Sequence, residues 1–138
     1  MNPATARIFA SGNCTHEGRL IVASTELIVL IVGDSGLRSA LIARLSLDGE
    51  SLVTLEVDPE DPALERIAPS QSILVIDGSR LDGRLQVLAE SGRWGGIIAL
   101  ADAAAETRMD RVSVLDRKSA LVEIRETLRR WRAADQGH

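Results

Sequence analysis

From residue 26 onward, the chain alternates between two hydrophobic periods. Leu27 to Val32 is an unbroken aliphatic run, the pattern of a strand buried on both faces. Asp34, Ser35 and Gly36 interrupt it, and Leu37, Ala40, Leu41 and Leu45 then recur at helical spacing. Asp48-Gly49 marks a turn, and Leu52 to Val57 reads as a second strand. Asp61-Pro62 supplies a helix start, with Asp as cap and Pro at the first helical position. Leu64 and Ile67 give that short helix its apolar face. Ile73 to Ile76 is the next buried strand, closed by Asp77-Gly78. Leu81, Leu85 and Leu88 mark a third helix; Gly96 to Leu100 and Val112 to Leu115 are two further strands. Leu121, Ile124, Leu128 and Trp131 line one face of a long last helix.

Strict alternation of strands and helices predicts an α/β domain with a doubly wound, five-stranded parallel sheet. The interval from Ala101 to Val112 has room for only a turn or two of helix, so the fourth helix is expected to be truncated. Residues 1–25 read differently: Arg7 to Ala10 and Arg19 to Ala23 flank a polar Gly/Asn/Thr stretch, the pattern of an N-terminal arm or a β-hairpin. The domain proper is placed at 26–138. If the arm is a hairpin, it is expected to cover a sheet edge or join a dimer.

Composition narrows the function. Of 138 residues, 45% are apolar and nearly all of those aliphatic; Phe9, Trp94 and Trp131 are the only aromatics. With a net charge of −4 and few rings to stack on bases, a nucleic-acid partner is not expected. Arg125, Arg129, Arg130 and Arg132 read as a solvated face near a helix C-terminus, where cations suit the dipole. The single Cys14, with His16 nearby, excludes an intramolecular disulfide and a thiol metal cluster. No signal-like leader or bilayer-length apolar run is present, so no membrane association and a cytoplasmic location are expected.

In this architecture, sites form at the carboxyl ends of the strands. That singles out Asp34, Asp77, Ala101 and Asp116-Arg117-Lys118. Two carboxylates at neighbouring strand ends can hold Mg²⁺, and a nearby Lys can pair with a phosphoryl group. A buried Asp beside the metal can act as a nucleophile toward phosphorus. An Asp after a buried strand is equally a common turn residue and helix cap.

Leu30-Ile31-Val32-Gly33-Asp34-Ser35-Gly36-Leu37 and Ile73-Leu74-Val75-Ile76-Asp77 resemble the first- and third-strand motifs of response-regulator receiver domains, the CheY-like members of the flavodoxin-like fold. Ile97 to Ala101, Val114 to Ser119 and Leu121 to Trp131 resemble that family's fourth strand, fifth strand with its Lys turn, and last helix. The resemblance implies Asp77 as phosphoacceptor, Asp34 as Mg²⁺ ligand together with Asp77, and Lys118 or Arg117 as the phosphoryl contact. The departures fall on switching parts. Gly33 replaces one acidic residue, Ala101 replaces a Thr or Ser, Val112 or Val114 replaces an aromatic, and no Met-Pro turn follows Asp77. A phosphoryl site needs metal, Lys and hydroxyl together.

The resulting expectation is an atypical receiver, not an enzyme. It would act through protein–protein contact with a histidine kinase, another receiver, an output protein or a second copy of itself. Phosphorylation at Asp77 would be weak or absent. A functional Mg²⁺-dependent receiver is the first alternative. A degenerate small-GTPase-like P-loop is the second, suggested by Val32 to Leu41, although Arg38 replaces the Lys and the loop is one residue short.

Overall fold

The computed structural model describes residues 7–9, 26–81 and 83–136, the first three through their backbone. Cys14 and His16 lie outside these residues, as does the run Arg19 to Ala23. The strands are β1 (Arg7–Phe9), β2 (Ile28–Ile31), β3 (Leu52–Thr54), β4 (Ser72–Asp77), β5 (Trp94–Ala101) and β6 (Val112–Asp116). The helices are α1 (Ser35–Leu47), α2 (Leu64–Ile67), α3 (Leu85–Glu90) and α4 (Ala120–Gln136), with one 3₁₀ turn at Gly78–Arg80.

The sheet runs β1-β3-β2-β4-β5-β6. Strands β2 to β6 are all parallel, which is the flavodoxin-like order with β2 as its first strand. Strand β1 extends this parallel core at one edge, pairing antiparallel with β3 in the register Ile8↔Val53. The first of the two N-terminal strand-like runs therefore covers a sheet edge.

All six residues of β4 are buried, as are all four of β2, because helices cover both faces. On one face Ile28, Leu30, Ile73, Val75, Ile98 and Leu100 pack against Leu41 and Leu45 of α1 and Ile124, Leu128 and Trp131 of α4. On the other, Val29, Ile31, Leu74, Ile76, Ile97 and Ala99 pack against Leu64 of α2, Leu88 of α3 and the loop residue Leu81. Alternate residues of one strand thus feed two separate cores.

Local chemistry sets the helix ends. Asp34 caps α1, its Oδ1 accepting from the Leu37 N–H at 3.1 Å, and Gly49 follows at φ 88° where the chain turns out of the helix. The start at Asp61-Pro62 is tighter than a plain helix. Asp61 Oδ1 accepts from the Ala63 N–H at 2.8 Å, and Leu64, Glu65 and Arg66 each bond back three residues, so α2 begins at Leu64. The third helical pattern splits: Gly78–Arg80 forms the 3₁₀ turn, Gly83 takes φ 77°, and α3 starts at Leu85.

Three further features depart from the sequence expectation. Strand β5 starts at Trp94 instead of Gly96, and the shift from Ser72↔Trp94 to Ile73↔Gly96 leaves Gly95 as a bulge residue. The shortened fourth helix is absent. Residues 102–111 form no helix, and Ala105 makes an antiparallel bridge to Val114 along the outer edge of β6. Arg132 leaves the solvated face assigned to it and donates to both Glu50 oxygens at 2.7 and 3.0 Å and to Glu26 at 3.3 Å, tying α4 to the β2 and β3 ends. No helix among the described residues is long and apolar enough to cross a membrane.

Candidate functional site at the carboxyl edge of the sheet

Because β2, β4, β5 and β6 are parallel, their C-terminal ends deliver Asp34, Asp77, Ala101-Asp102 and Asp116-Arg117-Lys118 to one edge. Asp77 is the last residue of β4 and is only 7% exposed. Its Oδ1 accepts from the Ser79 N–H at 3.3 Å and the Ser79 hydroxyl at 3.2 Å, so Asp77 also caps the 3₁₀ turn.

The same Oδ1 accepts from Nη2 of Arg117 in a short ion pair. The other terminal nitrogen of Arg117 donates to Oδ1 of Asp102, so one guanidinium spans two strand-end carboxylates. The Arg117 backbone is fixed too, its N–H donating to the Ala101 carbonyl at 2.9 Å. Burial pushes the Asp77 carboxyl upward, but hydrogen bonds from Arg117 and Ser79 and the Arg117 charge outweigh it and hold the group below the usual carboxylate range. Arg117 is correspondingly raised, first by its bond to Asp77, with Asp102 and Asp34 adding attraction.

Of the two residues that fit the family's Lys position in sequence, it is Arg117 that reaches Asp77. Lys118 is exposed, and its described hydrogen bond is a backbone one to Asp116 Oδ1 at 2.9 Å. Asp34 is brought to the same edge, with its Oδ1 engaged in the α1 cap. Two participants were not foreseen. Asp102 is a lone acidic residue in a turn, and nothing in its sequence context distinguished it. Arg80 lies against Gly33: a Cβ built there meets Arg80 Nη2 at 3.4 Å. A guanidinium thus stands beside the position that the resemblance assigns to a receiver's first acidic residue.

No family model, curated protein or solved structure matches this chain. Function therefore rests on the edge itself. A receiver-type Mg²⁺ site needs carboxylate oxygens facing a shared gap. Here Asp77 faces Arg117, Asp34 caps a helix, and Arg80 adjoins Gly33. Oδ1 of Asp77 and Oδ1 of Asp34 are thus each engaged within the protein, and the described residues contain no group of three metal-ligating side chains. The P-loop alternative bears on the turn after β2. β2 passes into α1 through Val32, Gly33 and Asp34 alone, and Arg38 Nη1 turns back to the Val32 carbonyl at 3.0 Å. A connection that short supplies no run of N–H groups to wrap phosphates.

Proposed function

We propose that this chain is an atypical receiver domain that works by protein–protein contact, with Arg117 supplying in cis the positive charge that a metal supplies in an ordinary receiver. The observation that carries the reading is the Arg117 bridge from Asp77 to Asp102. An Asp attacks phosphorus through a free carboxylate oxygen, and the transferred group needs compensating charge as it arrives. Oδ1 of Asp77 is bound to the Arg117 guanidinium and to the N–H and hydroxyl of Ser79, so that oxygen is not free to attack and the carboxylate charge is already compensated. Ala101 adds no hydroxyl to receive a phosphoryl oxygen. The partner is a histidine kinase, another receiver or an output protein, and the chain itself turns over no substrate.

The test is intact-mass measurement after incubation with a small-molecule phosphodonor and Mg²⁺, on wild type and Asp77→Asn. The proposal expects wild type to gain no Asp77-dependent adduct. A single phosphate on most wild-type molecules, lost in Asp77→Asn, would instead make this a working phosphoacceptor.

A further inference from the structure

At the opposite end of the sheet from Asp77, where β5 begins, α2 and α3 leave a half-open pocket of about 220 Å³. Its apolar lining comes from Leu64, Leu88 and Trp94, with Pro59 and Pro62 beside them. Glu60, Asp61 and Glu65 also line it, against the single guanidinium of Arg93. Three carboxylates against Arg93, with Glu60 also paired to Arg84 at 3.6 Å, leave the mouth net negative.

Trp94 is 8% exposed, and its indole N–H is buried without an acceptor. That nitrogen is closed off from the pocket, so it is the indole ring that forms the wall. The wall is held in place. Arg93 stacks on the Trp94 ring at 4.7 Å from its centroid, while its two terminal nitrogens donate to the carbonyls of Leu64, Ala68 and Pro69 at 2.9–3.2 Å. That arrangement fastens the end of α2 to the indole.

We infer that this pocket is a docking site for a basic segment of a partner protein, one that inserts a single bulky apolar side chain. Volume selects this occupant: sites for small ligands usually span about 300–1,000 Å³, and this pocket suits one anchoring side chain. Charge selects the flanks, since lysine or arginine beside the anchor meets Glu60, Asp61 and Glu65. The site is remote from Asp77 and does not depend on how that carboxylate is used.

The experiment follows the two indole N–H signals of the ¹⁵N-labelled full chain by NMR, assigned with Trp131→Phe. The probes are blocked tripeptides: leucine between two lysines, leucine between two glutamates, and glycine between two lysines. The lysine-flanked leucine peptide is expected to move the Trp94 signal and leave Trp131 in place, with both controls much weaker. The surface double variant Glu60→Gln/Glu65→Gln is expected to weaken that binding roughly threefold or more. A still Trp94 signal, equal response to the glutamate-flanked peptide, parallel movement of both indoles, or unchanged affinity in the double variant would each overturn the inference.

Discussion

Replacing Arg117 with Met removes the guanidinium while keeping most of the aliphatic stem, and so isolates what the charge contributes. Asp77 would keep its two Ser79 donors but lose its only counter-charge among the described residues, at a site 7% exposed. Stripping one partner from a fully buried pair costs about 3–5 kcal/mol, and losing a hydrogen bond to a charged group about 1.5–3 kcal/mol. The Arg117 side chain is 29% exposed, and Asp102, at 98%, adds little; solvent screening therefore lowers the expectation to about 1–2 kcal/mol at pH 7. For a domain of this size that is a fall in Tm of roughly 4–8 °C.

The pH dependence gives the sharper test. In wild type the Asp77 pKa lies below its unfolded value of about 3.9, so its contribution is complete above that value and disappears as pH falls through the folded pKa. In Arg117→Met only burial and the Ser79 bonds act, and the carboxyl moves up. The gap between the two proteins is therefore full at neutral pH and narrows as pH falls through the carboxylate range toward the lowered folded pKa of Asp77. Urea denaturation of both proteins across that range measures it, and adding Asp77→Asn to the variant should recover most of the loss. A gap below about 0.5 kcal/mol at pH 7 would refute the reasoning, because it would class the bridge with ordinary surface pairs. So would a gap that persists unchanged at pH 3.

Two further substitutions check the frame that holds the edge. Asp34→Ala should cost about 1 kcal/mol through loss of the α1 cap, while Asp34→Asn should be nearly neutral in urea denaturation; equal losses would mean that the charge, not the cap, is what Asp34 supplies. Gly95→Ala should destabilise by about 1–3 kcal/mol, since its Cβ would stand 2.4 Å from the Gln71 carbonyl oxygen, a backbone atom that cannot swing away. Thermal melts that show Gly95→Ala as stable as wild type would refute that contact.

Reading the edge from the sequence went as far as placing its residues. Asp34, Asp77 and the Asp116-Arg117-Lys118 segment follow buried strands, so parallel topology alone sends them to one side. Which cation meets Asp77 was not legible. Arg117 and Lys118 are adjacent, and the choice depends on the turn leaving β6, where the Arg117 N–H is held by the Ala101 carbonyl. Arg80 was equally hidden: its place beside Gly33 follows from the 3₁₀ turn that Asp77 and Ser79 cap.

The sequence by itself determined the alternation of strands and helices, their parallel order and the two-faced burial, because hydrophobic period and turn chemistry act within a few residues. It did not determine how the charges pair. Arg132 reads as one of four cations on a helix end, yet it closes on Glu50, which is 82 positions away. Gly96 reads as a strand start, but the Trp131 ring fills the space beside it and Gln71 the space beside Gly95. Residues 102–111 carry the length of a short helix and instead run along the β6 edge. Each of these outcomes depends on atoms far apart in the chain, whose separation is set only when both faces of the sheet have packed.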